Sequence, residues 1–105
     1  MALQSGKPYV LFHVDVPPGK GLGVDIQWRR RDPVGYEITA IVPAGDPFIL
    51  QWNKRSAVTV PDNVIRVGDI IVRVNAATIH KKIVKVLKQP ELEWILVIAR
   101  IEVFQ

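Results

Sequence analysis

Valine and isoleucine set the terms for this chain. It holds 16 valines and 12 isoleucines among 105 residues. Both side chains branch at Cβ, which stiffens χ1 and suits a pleated surface better than a helix. They are spread over short runs, many at every second position, with Gly and Pro between the runs. Such a chain is expected to be mostly β, with little helix.

The runs can be followed in order. Tyr9 to Val16 alternates from Phe12 onward and reads as a half-buried strand. Pro17-Pro18-Gly19-Lys20-Gly21 breaks it. Leu22, Val24, Ile26 and Trp28 then alternate with Gly23, Asp25 and Gln27, a second strand. Arg29 to Gly35 is a charged turn, and Tyr36 to Val42 is a third strand ended by Pro43. Asp46-Pro47 starts a short amphipathic helix over Phe48 to Trp52, followed by a polar stretch from Asn53 to Asn63. Ile70 to Val74 is a strongly apolar strand. His80 to Lys88 has the best helical pattern, with Ile83, Val84, Val86 and Leu87 against Lys81, Lys82, Lys85 and Lys88. Thr78 is the candidate N-cap and Pro90 lies just past the end. Trp94 to Phe104 is a long last strand. The expectation is an α+β, mostly β domain of five to six strands and two helices, with residues 1–7 a loose lead-in and 8–105 one domain.

Composition removes several classes of function. With no cysteine there is no disulfide and no thiolate zinc site. No apolar run is long enough to cross a membrane as a helix, and no secretory signal pattern opens the chain. A cytoplasmic location is expected, with membrane association through partners as the alternative. The formal charge of +4, from 14 basic and 10 acidic residues, is too mild to name nucleic acid as a partner. Two histidines and the serines Ser5 and Ser56 offer little for catalysis, and neither serine sits in a nucleophile elbow. Gly19-Lys20-Gly21-Leu22-Gly23 fails the phosphate-loop and dinucleotide patterns. The expectation is a protein that is not an enzyme and needs no cofactor or metal.

Three motifs in this order resemble a PDZ domain. Gly21-Leu22-Gly23-Val24 resembles the family's Gly-Leu-Gly-Phe carboxylate-binding loop. Val67-Gly68-Asp69-Ile70-Ile71-Val72-Arg73-Val74-Asn75 resembles its Gly-Asp-x-Ile-Leu-x-Val-Asn-Gly signature. His80 to Lys88 resembles its second helix. The resemblance covers about residues 8 to 101, in the animal-type strand order. Val24 stands where the family has Phe, Ala76 where it usually has Gly, and the stretch from Pro43 to Arg66 is longer than usual.

The resemblance implies a partly open β-sandwich or barrel that binds the C-terminal peptide of another protein by strand addition. Backbone N–H groups of Leu22, Gly23 and Val24, in a turn made with Gly21, would hold the ligand carboxylate, with Lys20 nearby. The ligand would lie along Val24, Asp25, Ile26, Gln27 and Trp28. His80, Val84 and Leu87 recur at i, i+4 and i+7, so they share one helix face and would line the other wall. Leu22, Val24, Ile26 and Leu87 are aliphatic, so an aliphatic last ligand residue is expected. By resemblance, His80 would select Ser or Thr two residues before it. Two other readings accompany this one. Arg29-Arg30-Arg31 beside Trp28 is a cationic tip that suits acidic phospholipid headgroups. An exposed strand edge suits weak self-association.

Overall fold

A computed structural model of the chain describes residues 9–19, 21–42 and 48–101. Its strands are β1 (Tyr9–Val16), β2 (Val24–Arg29), β3 (Gly35–Ile41), β4 (Ile70–Val74) and β5 (Trp94–Ile101). They form one open antiparallel sheet in the order β1-β5-β4-β3-β2. Two helices, α1 (Phe48–Thr59) and α2 (His80–Leu87), and a 3-10 turn over Pro61–Asn63 complete it. The fold is a small α+β domain, mostly β, as the β-branched runs require.

Alternation places the core. β1 buries Phe12, Val14 and Val16 and exposes Leu11, His13 and Asp15. Its partner β5 buries Trp94, Leu96 and Ile98, and the register sets Phe12 beside Ile98 and Val14 beside Leu96. Tyr36 and Ile38 of β3, Ile71 and Val74 of β4, Phe48 and Ile49 of α1 and Ile83 of α2 join the same cluster. Each fully buried Ile or Leu contributes about 1.5–3 kcal/mol. A one-residue slip would turn these side chains out to solvent, so the register is fixed by burial.

Gly35 is required at the start of β3. A Cβ there would collide with the Ile71 carbonyl of β4, so only glycine lets the two strands approach. Under the sheet, Asp69 is buried and accepts the Arg66 N–H at 2.8 Å. Arg100 of β5 grips both oxygens of Asp69, at 3.0 and 2.7 Å. It also donates to the carbonyls of Asp62 and Val64 and lies 5.1 Å from the Phe12 ring centre. This ion pair ties the 3-10 turn to the sheet.

Several boundaries differ from the sequence reading. The first helix does not stop at Trp52 but runs to Thr59. Its inner face continues through half-buried Asn53 and buried Ser56, polar residues that an apolar count passes over. Asn53 donates to the Ile65 carbonyl and accepts the Ile65 N–H, both at 2.7 Å, as a strand neighbour would. The Trp52 indole N–H donates to the Asn63 carbonyl at 2.8 Å. Thus most of the polar stretch is helix and clamp. The N-cap of α2 is Ile79, with no side-chain cap bond, instead of Thr78. The second strand begins at Val24 instead of Leu22. The last strand is described as far as Ile101, and the rest of the run to Phe104 lies outside the described residues. After β4, Asn75 takes a left-handed φ of 54° and its side chain bonds the Ile95 N–H and the Glu93 carbonyl. The turn therefore closes without a glycine at Ala76.

Candidate functional site

β2 is an edge strand: it pairs with β3 on one side only. Among the described residues no strand pairs with its other edge, the kind of template that a further strand can join. Val24, Ile26 and Trp28 are half-buried against the core, whereas Asp25 and Gln27 are exposed. Val84 and Leu87 of α2 are half-buried against the same core, and Ile83 pins the helix with its side chain fully buried. His80 is exposed at the N-terminal end of α2. Val86 is half-buried at the margin of the core, beside Lys82 and Lys85.

The loop before β2 owes its orientation to α1. The Phe48 N–H donates to the Gly21 carbonyl at 3.4 Å, and the Ile49 N–H to the Leu22 carbonyl at 3.3 Å. These are first-turn amides of a helix, which have no partner inside it. The Val42 N–H donates to the Gly23 carbonyl at 2.8 Å. In a trans peptide the C=O and N–H point opposite ways. The carbonyls of Gly21 and Leu22 face α1, so the N–H groups of Leu22 and Gly23 face away from it. The Val24 N–H likewise faces away from Val42. Gly23 has φ +79°, a value that only glycine adopts at no cost and that bends the chain here. Among the described residues, the Leu22 and Gly23 amides donate to no backbone carbonyl. Lys20 lies outside the described residues.

At the other end of β2 three rings meet. Trp28 stands edge-on to Tyr36, with centres 5.0 Å apart, and edge-on to His80 at 4.9 Å. The Tyr36 hydroxyl and His80 Nδ1 share a hydrogen bond of 2.8 Å. Tyr36 is buried, and desolvation raises its phenol pKa above the ordinary 10.0. A recess of about 720 Å3 opens beside this cluster, lined by Gln27, Trp28, Arg30, Val34 and His80. The structure therefore brings His80, at the start of α2, to the Trp28 end of β2. Sequence reasoning missed Tyr36, because an alternating strand position gives no sign of a partner 44 residues away.

The arginine tip is divided. Arg29 is half-buried, pairs with Glu37 at 3.3 Å and donates to the Asp32 carbonyl at 3.4 Å, while Arg30 and Arg31 are exposed. Among the described residues no group of three or more His, Asp or Glu side chains could hold a metal ion. No helix among them is long and apolar enough to cross a membrane. Compared with known proteins, the chain matches no family model and no curated protein.

Proposed function

We propose that this chain is a PDZ-type, non-catalytic interaction module that binds the free C-terminus of a partner protein. The observation that carries the reading is the orientation of the loop peptides. α1 and Val42 hold the carbonyls of Gly21, Leu22 and Gly23, which turns the N–H groups of Leu22, Gly23 and Val24 to the opposite side. Amides turned outward beside an open strand edge suit a carboxylate at the end of an added strand. Hydrogen bonds to a charged group contribute about 1.5–3 kcal/mol each.

The ligand backbone pairs with the free edge of β2. Its last side chain enters the aliphatic patch of Val24, Ile26 and Leu87, so Val, Leu or Ile is favoured there. A ligand of a few residues leaves a micromolar affinity, about −8 kcal/mol. The reading is supported as well by the three motifs at Gly21 to Val24, Val67 to Asn75 and His80 to Lys88, which resemble the family.

Amide NMR tests the placement. A peptide ending in a free valine carboxylate is expected to shift the Leu22, Gly23 and Val24 amides most, with the β2 edge next. Shifts concentrated at Arg30 and Arg31 or along β1, with the loop silent, overturn it.

A further inference from the structure

The sheet has a second edge, and it is β1. This strand pairs with β5 alone, and among the described residues no strand lies along its other side. Proteins keep edge strands from pairing by charge, proline, bulges or shortness. β2 shows two of these devices: its register with β3 breaks between Asp25 and Ile26, and Arg29 ends it. β1 has little of the kind. Its eight residues hold no lysine, arginine, proline or glycine, and Asp15 near the end is its one charged side chain. Its register with β5 runs unbroken from Tyr9 to Val16.

The apolar side chains of this edge are bare. Leu11 is 58% exposed, on the face where β5 also exposes Ile95 and Ile101. Val10 is 45% exposed, although it alternates with Phe12 and Val14 on the core face. A recess of about 280 Å3 opens there, lined by Val10, Leu11, Phe12, Asp62, Asn63 and Arg100, which leaves room beside β1 for the side chains of an added strand.

The residues of β1 match their own copy. A two-fold axis normal to the sheet runs two β1 strands antiparallel, and it sets core face beside core face when it passes through a residue. Axes at Phe12 and at His13 give the longest overlaps. The axis at His13 would oppose His13 to itself and Asp15 to Leu11. The axis at Phe12 opposes Val10 to Val14, Leu11 to His13 and Tyr9 to Asp15. Val10 and Leu11 then each face a partner side chain, and each Asp15 carboxylate faces a phenol donor.

We infer that β1 is a self-pairing edge: two copies of this chain join through antiparallel β1 strands about a two-fold at Phe12, in one continuous sheet. β2 is the far strand of each copy, so its edge stays open and the pair presents two of them. The pairing does not depend on the peptide reading above. One pair of strands is a small interface, under about 1,200 Å2, so the dimer is weak, with a dissociation constant of about 0.1 mM.

Sedimentation equilibrium of the full chain, over about 10 µM to 1 mM to bracket that constant, is expected to show monomer passing to dimer. Leu11→Lys, at an exposed position, adds the kind of charge that blocks an edge. It is expected to weaken the dimer about tenfold or more with the sheet dichroism kept. Ile95→Lys, on the same face but one strand further in, is expected to change it less than about twofold, which separates edge pairing from stacking of sheet faces. Cross-linking reads the register, because the chain has no cysteine of its own. A mixture of Leu11→Cys and His13→Cys is expected to form a disulfide-linked heterodimer on mild oxidation, and either variant alone is not. Opposed residues lie about 4.5–5.5 Å apart, and diagonal ones about 7–8 Å, beyond disulfide reach. A monomer throughout the range, a dimer indifferent to Leu11→Lys, an equal loss from Ile95→Lys, no cross-link in the mixture, or cross-linking as strong with one variant alone overturns the inference.

Discussion

Two polar clusters lie on the sheet, and they are finished to different degrees. Around Asp69 and Arg100 almost everything is matched from within. Arg100 reaches both carboxylate oxygens and two carbonyls and covers Phe12, and Asp69 takes a backbone N–H besides. Its side chains are nearly closed to solvent, at 14% and 4% exposure. Around His80 the matching stops halfway: Tyr36 and Trp28 engage the ring from one side, and the residue stays exposed beside a recess. A buried charge with no partner costs several kcal/mol, so a closed cluster must be complete. A cluster at a recess can leave a polar atom to water until a ligand takes it. The first arrangement holds the fold together and the second stays open to solvent.

The comparison breaks most visibly at the closed cluster. Asp69→Ala leaves the Arg100 charge and the Arg66 amide short of a partner, and is expected to lose about 3–5 kcal/mol in denaturant unfolding. Asp69→Ala with Arg100→Met is expected to recover part of that loss. A loss under about 1 kcal/mol for the single change would mean that the cluster is not structural.

The loop at Gly21 to Val24, proposed to hold the carboxylate, gives a smaller stability effect and a larger binding effect. Gly23→Ala forces a Cβ into a left-handed backbone, at a cost of about 1–2 kcal/mol. Peptide binding by calorimetry is expected to fall about tenfold or more while the far-ultraviolet dichroism of the sheet is kept. Unchanged affinity would remove the loop from the site.

At the open cluster, Tyr36→Phe removes one hydrogen bond and leaves the ring packing, so a loss of about 0.5–1.5 kcal/mol is expected. The smallest effect is on pH. The Tyr36 phenol is raised above 10.0 by desolvation, so folded and unfolded chains are both protonated there below about pH 10 and its contribution is fully present. Above that the unfolded chain loses the proton first, and stability falls as pH rises through the folded-state value. Tyr36→Phe is expected to lose less stability than the wild type between pH 9.5 and 11.5. Parallel curves would contradict the burial of the phenol.

Much of this was legible in the residues, for identifiable reasons. Strand β4 falls where its apolar run places it, and the N-termini of β1 and β5 fall where the β-branched pattern does, since burial leaves a direct mark on the sequence. The far half of α1 was hidden, since Asn53 and Ser56 face inward to make hydrogen bonds or fill small gaps and carry no hydrophobic signal. The glycines of Gly21 to Val24 marked a break before β2, and helical period put His80, Val84 and Leu87 on one face. The partners that decide what those residues do could not be read. Tyr36 meets His80, Arg100 meets Asp69, and α1 fixes the loop carbonyls only through tertiary contacts far apart in the chain.

The central claim is that the outward amides of Leu22, Gly23 and Val24 hold a terminal carboxylate. The direct measurement is the dissociation constant of one peptide in two forms, a free C-terminal acid and its C-terminal amide, with all side chains identical. Losing the charge from two or three hydrogen bonds is expected to weaken the amide at least about tenfold. Equal affinity of the two forms would contradict the account.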